Sequence, residues 1–358
     1  MKRVALLPRS RQPGVETAPD ETVESARKTI DLQSGVMDLM ACFTTEPPPL
    51  DFIWPGFLSG TIGALCAAGS TGKSFWSLEA ALCVASPLAN SELLDLEITV
   101  HGRVVLLNAE DNQLLMWHRL RDIACALSDE AKAEVAANVS IVSVVGWGVD
   151  INEDAWVDAI VGLAKGARLI VLDTHSRWAG GVPENDNSAQ TQVIKKYEFI
   201  ARQTSAAILF LHHVAKTMML DGRQDEQGAA RGASAITDAA RYQAWMQGMP
   251  ESVAADLGIA KEERTQYVGF GAAKVNAGMK PEPRWYRRCD GGVLLPLHTR
   301  AELTAKAPLT QIERQHLRKH SSLATLGDKP AKPVKAAESL PPELARTIAA
   351  ASPFAHLN

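Results

Sequence analysis

The 358 residues are 46% apolar and 22% charged with a formal net charge of −4, enough for a large buried core and too little charge for whole-surface attraction to nucleic acid. The five cysteines (Cys42, Cys66, Cys83, Cys125 and Cys289) stand far apart with no CxxC pair, which argues against a zinc site or a disulfide framework and fits a reducing cytoplasm. The apolar run at 4–7 stops at Pro8, too short for a signal peptide, and no later run approaches the ~18 apolar residues of a membrane span.

Residues 1–46 are polar and mixed in charge, with one candidate helix at 21–40, and read as a flexible N-terminal extension. Pro47-Pro48-Pro49 punctuates the chain, because proline fixes φ and cannot continue a helix. From Leu50 onward short aliphatic runs alternate with amphipathic stretches. Residues 61–66, 104–107, 141–145, 169–172 and 207–211 read as strands. Residues 75–85, 113–126, 154–165 and 188–203 are helix-compatible, the last carrying Val193, Ile194, Tyr197 and Ile200 at helical spacing. This alternation predicts an α/β domain over 47–299, a mainly parallel sheet flanked by helices. Residues 267–275, 285–287 and 293–297 read as later strands, with Asp290-Gly291-Gly292 as a tight turn. Beyond 299 the composition loosens: 329–335 reads as an extended linker, one short helix follows Pro342, and 300–358 is expected to be a largely disordered tail.

The strongest chemical signal is Ala67-Ala68-Gly69-Ser70-Thr71-Gly72-Lys73-Ser74, between a strand and a helix. A triphosphate needs backbone N–H groups turned inward, a lysine on the outer phosphates, a hydroxyl for Mg²⁺ and a helix N-terminus. Gly69, Ser70, Thr71 and Gly72 supply the cradle, Lys73 the ammonium and Ser74 the hydroxyl. Ala67 departs from the pattern, which asks for glycine there. Asp173 ends the aliphatic run 169–172, where such proteins place the carboxylate that holds Mg²⁺. Glu110 and Asp111 follow the run 104–107: Glu110 is the candidate base for the attacking water and Asp111 a helix-starting residue, the alternative being that both are caps. His212 and His213 end the run 207–211 and point to opposite faces, one for packing and the other a candidate sensor of the terminal phosphate. The segment 215–230 has no apolar periodicity and reads as a loop.

From Pro47 to Leu297 the chain resembles the RepA replicative helicases of mobilisable plasmids, a branch of the hexameric RecA-core, DnaB-like helicases. The resemblance rests on PPPLDF at 47–52, GTIGAL at 60–65, GSTGKS at 69–74, LNAED at 107–111, LIVLDT at 169–174, FLHH at 210–213, RGAS at 231–234, TDAARYQ at 237–243 and WYRRCDGGVL at 285–294. It implies a RecA-like P-loop NTPase core using ATP and Mg²⁺, with Lys73 and Ser74 on phosphate and metal, Asp173 positioning the metal, Glu110 as the catalytic base and His213 as the sensor. Arg241 falls at the place of the family's arginine finger, donated across a subunit interface, with Arg231 its rival. Lys274 resembles a second cation supplied in trans. The implied assembly is a homo-hexamer gripping single-stranded DNA through the segments 175–187 and 214–230, with Lys216 and Arg223 for phosphate contacts, served by plasmid primase or initiator proteins. A RecA-like regulatory or recombination ATPase, and a non-hydrolysing nucleotide-gated replication-control protein, remain as alternatives.

Overall fold

The computed structural model describes residues 33–214, 236 and 239–297. The chain divides into two units, Met1–Pro49 and Leu50–Asn358. In the first, a 3₁₀ turn at Gln33–Gly35 precedes a short helix α1 (Leu39–Thr44). Asp38 caps α1, its side chain accepting from the Ala41 N–H; of the helix expected at 21–40, only residues 33–40 are described, and there the chain is a 3₁₀ turn, three irregular residues and the start of α1. Residues 21–32 and 298–358 lie outside the described residues, as do Lys216, Arg223 and Arg231.

The second unit opens with an antiparallel pair, β1 (Phe52–Trp54) and β2 (Phe57–Leu58). Among the described residues nine further strands form one sheet. They are β3 (Ile62–Ala67), β4 (Val104–Asn108), β5 (Val139–Ser143), β6 (Leu169–Asp173), β7 (Ala207–His213), β8 (Tyr242–Gly248), β9 (Tyr267–Val275), β10 (Arg284–Arg288) and β11 (Leu294–Pro296). Their order across the sheet is β11-β10-β9-β8-β3-β7-β6-β4-β5. From β8 to β5 every pairing is parallel, and β9, β10 and β11 continue it antiparallel. The strand β3 before the glycine-rich loop therefore lies between β7 and β8, with β6 and β4 beyond β7, in a mainly parallel sheet of the α/β kind expected.

β3, β4 and β6 are buried at every position, as expected of strands covered on both faces. β5 is half-buried throughout, as an edge strand should be, and ends at Ser143, short of the expected 145. β8 was not among the expected strands because Gln243 and Gln247 interrupt its apolar pattern; it forms nonetheless between β3 and β9. One face of the sheet packs on α2 (Lys73–Ala85), α3 (Pro87–Glu92), α4 (Gln113–Ala124) and α5 (Asp129–Asn138). The other packs on α6 (Asp154–Leu163), α7 (His175–Trp178) and α8 (Asn187–Thr204). A short helix α9 (Glu251–Asp256) precedes β9. Among the described residues no helix is long and apolar enough to cross a membrane.

Candidate functional site

Because β3, β4, β6 and β7 run parallel, their C-terminal ends share one sheet edge, where open α/β sheets collect functional groups. Ala67 is the last residue of β3, fully buried and paired with His213 and Met246, so the missing glycine is a strand residue that needs no positive φ. Ser70 and Gly72 do take positive φ, 65° and 101°. Gly72 is the N-cap of α2 and offers no side-chain cap, so the first N–H groups of α2 are left for an anion. The turn is held by Thr71, whose hydroxyl donates to the Ala68 carbonyl at 2.8 Å.

The structure brings Lys73, Glu110, Asp173 and His213 together. Lys73 is buried, and its Nζ lies 2.9 and 2.8 Å from the two ring nitrogens of His213. Burial lowers its pKa, opposed by Asp173 and Glu110. His213 Nε2 in turn stands 3.4 Å from Glu110 Oε1. Glu110 also accepts from the Thr174 hydroxyl at 2.9 Å. The His213 hydrogen bond first, then Thr174 and the nearby Lys73 charge, outweigh burial and pull the Glu110 carboxyl down to about 2. It is therefore an ionised acceptor across the physiological range.

Its backbone is fixed by Asn108, fully buried, whose Oδ1 accepts from the N–H of Glu110 at 2.7 Å and of Asp111 at 2.9 Å. Asp111 is not the helix start. Asn112 is the cap of α4, accepting from Leu115 N–H at 2.9 Å, while Asp111 pairs with Arg119. The reason is spacing, since the turn held by Asn108 consumes Glu110 and Asp111 before the helix can begin.

Asp173, 3% exposed, leaves Oδ1 without a partner. Burial, then repulsion from Glu110, push its pKa up to about 6, against a Ser74 hydrogen bond and the Lys73 charge. An unpaired buried carboxylate oxygen beside a serine hydroxyl suits a hard divalent cation, so Ser74 and Asp173 fit Mg²⁺. His212 is buried, its ring edge-on to His175 at 5.8 Å between centroids, and burial lowers both to about 4.

Arg241 and Lys274 are not brought to this edge. Arg241 N–H donates to the Ile62 carbonyl at 3.0 Å, so Arg241 stands at the start of β8 beside the start of β3. Lys274 pairs with Gln243, and Asn276 N–H donates to the Arg241 carbonyl at 3.2 Å, so both cations share the opposite edge. Ile62 precedes Ala67 by five residues, roughly 17 Å at the usual strand rise.

Three contributors were not singled out from sequence: Asn108, Thr174 and Arg288. Arg288 ends β10, and its Nη2 donates to the Thr71 carbonyl at 2.8 Å, giving the phosphate loop a second cation from its own chain. A Cβ on Gly292 would lie 2.9 Å from the Phe75 ring, so the turn after β10 closes against α2 only as glycine, at φ 91°. Arg119 stacks on Phe75, 5.3 Å from the ring centroid. The paired arginines within 285–294 were the only sequence signal for Arg288, and nothing there says which of the two faces the loop.

A model of the AAA domain family matches residues 27–219, more than half of the chain. The chain belongs to the AAA domain family. Among solved structures, this AAA-domain protein is similar to an ATPase domain at 12% identity, covering 68% of this chain and 87% of that one with a TM-score of 0.46. It is likewise similar to the KaiC-like protein PH0186 from Pyrococcus horikoshii OT3 at 14% identity, covering 70% of this chain and 100% of that one, also with a TM-score of 0.46.

Proposed function

We propose that this AAA-domain protein is an ATP-hydrolysing, ring-forming DNA helicase, a homo-hexamer of the RepA kind that serves plasmid or mobile-element replication. The observation that carries the reading is the separation of its cations. Lys73 and Arg288 stand at the phosphate loop, while Arg241 and Lys274 stand together at the opposite sheet edge. No arginine rotamer spans roughly 17 Å, since a fully extended side chain reaches under half of that. A closed ring of identical subunits resolves the mismatch, because each phosphate loop then meets its neighbour's opposite edge.

In this account Gly69–Ser74 cradle the triphosphate of ATP and Lys73 neutralises its outer phosphates. Ser74 and Asp173 would hold Mg²⁺, which when bound offsets charge on the phosphate oxygens. Glu110, fixed by Asn108 and Thr174, orients the attacking water and takes its proton. His213 exchanges its Lys73 contact for the terminal phosphate and so passes nucleotide state to β7. Arg241 and Lys274 of a neighbour stabilise charge that develops at transfer, so hydrolysis requires assembly. Single-stranded DNA is gripped by the segments after Asp173 and after His213. Trp178 is buried, so no stacking side chain comes from 175–178 and the grip is mainly electrostatic.

The test is to mix subunits. Rings of Lys73→Ala alone, or of Arg241→Ala alone, have no complete site and are nearly inactive. When dissociated subunits are mixed in equal parts and reassembled, about a quarter of interfaces regain both residues, and up to that fraction of wild-type ATPase returns. Background activity in rings shown to be mixed would discard the trans arrangement.

A further inference from the structure

Behind the nucleotide-facing edge lies a buried polar chain that the mechanism above does not use. His175 on α7 and Gln190 on α8 are 0% and 1% exposed. His175 Nε2 lies 2.8 Å from Gln190 Oε1, and the Tyr197 hydroxyl 3.3 Å from His175 Nδ1. Gln190 Nε2 donates to the carbonyls of Val182 at 3.3 Å and Pro183 at 3.2 Å. Those two carbonyls fix the amide, because only its NH₂ can face them. Oε1 is then left to His175, Nε2 of the ring must carry the proton, and Nδ1 accepts from Tyr197. Every polar atom has one role, and the chain runs one way: Tyr197, His175, Gln190, loop backbone.

At its other end His175 touches both arms of the site. Thr174, the preceding residue, donates to Glu110 and lies 3.3 Å from the Ser176 hydroxyl. The His175 ring meets His212 edge-on, and His213, next along β7, lies against Lys73. The segment that Gln190 holds is of another character. Residues 180–188 are exposed apart from half-buried Val182, and Gly180 and Gly181 take φ of 62° and 80°. A packing role alone would be met by apolar side chains of equal volume, without the desolvation that buried amide and imidazole groups incur.

We propose that His175 and Gln190 are positioning residues that couple the nucleotide-facing edge to the segment 180–186. A shift of Thr174 or His212 on nucleotide binding is carried by the His175 ring to Gln190, and by its amide to the backbone at Val182 and Pro183. A partner gripping that segment acts back on Glu110 by the same path, since coupling is reciprocal. The inference rests on the nucleotide reading above.

Hydrogen–deuterium exchange on the full chain, alone and with Mg²⁺ and a non-hydrolysable ATP analogue, tests it. In the wild type the analogue changes amide exchange across 180–186 by about tenfold. In Gln190→Met, of similar volume but without the two donors, that change falls below about twofold, while analogue affinity and exchange in β3, β6 and β7 stay within about threefold of wild type. If Gln190→Met does not melt cooperatively, Tyr197→Phe replaces it; with the donor to His175 Nδ1 gone the ring is less firmly held, and the response drops by about threefold or more. A wild-type segment indifferent to bound analogue, or a variant that responds as wild type does, overturns the coupling. A wild type that binds no analogue overturns instead the nucleotide reading beneath it.

Discussion

Replacing Asp173 by asparagine should stabilise the nucleotide-free chain. Asp173 is buried at the end of β6 with one carboxylate oxygen unpaired, and burial raises its pKa from the ordinary 3.8 to about 6. A carboxyl with a raised folded pKa binds its proton more tightly when folded. Stability is therefore full below about pH 4, falls as pH rises to about 6, and stays low beyond. A rise of that size corresponds to about 3 kcal/mol at pH 7, shrinking to about 0.5 kcal/mol at pH 4. The asparagine keeps the shape without the charge, so D173N should gain up to about 3 kcal/mol at pH 7, or roughly 6–10 °C in Tm for a unit of this size. The assay is thermal or urea unfolding of both proteins in EDTA at pH 4, 5 and 7. Added Mg²⁺ and nucleotide should then stabilise the wild type and leave D173N little changed, because the variant lacks the anionic ligand. A variant no more stable than wild type at pH 7, or a gain that does not shrink at low pH, would refute the idea that Asp173 is held against an uncompensated desolvation cost.

Two further substitutions probe the same edge. Glu110→Gln should keep nucleotide affinity and assembly while hydrolysis falls by about two orders of magnitude or more, measured as turnover beside equilibrium binding; near-normal turnover would leave Glu110 as part of a turn. Arg288→Ala removes the hydrogen bond to the Thr71 carbonyl and should weaken nucleotide binding by about tenfold, read by calorimetric titration; unchanged affinity would reduce Arg288 to a surface contact of the hairpin.

The parallel sheet was legible because β3, β4 and β6 are fully buried, and burial on both faces writes an unbroken aliphatic run into the sequence. β8 was not, since its parallel partner β3 is distant in sequence and its glutamines hide it from any local pattern. The phosphate loop was legible for a local reason: loop and helix start are contiguous, and Gly72, Lys73 and Ser74 each answer one demand of a triphosphate. Glu110, Asp173 and His213 could be named as strand-end residues, but their convergence on Lys73 is a property of strand order. Thr174 and Asn108 escaped notice because a threonine or asparagine after a strand is ordinary until its partner is known to be the Glu110 carboxylate or backbone. Arg288 escaped because β10 reaches the phosphate loop from the far side of β9, a contact of 217 residues' separation that no spacing rule contains.

The helicase reading stands or falls on one measurement, strand separation of a forked DNA duplex by the full chain with ATP and Mg²⁺, run beside ATP turnover on the same samples. The account predicts ATP-dependent unwinding with turnover stimulated by single-stranded DNA, both lost in Glu110→Gln rings that still assemble. Robust ATP hydrolysis by assembled wild-type rings with no strand separation would contradict it and leave a RecA-like ATPase of regulatory or recombination type.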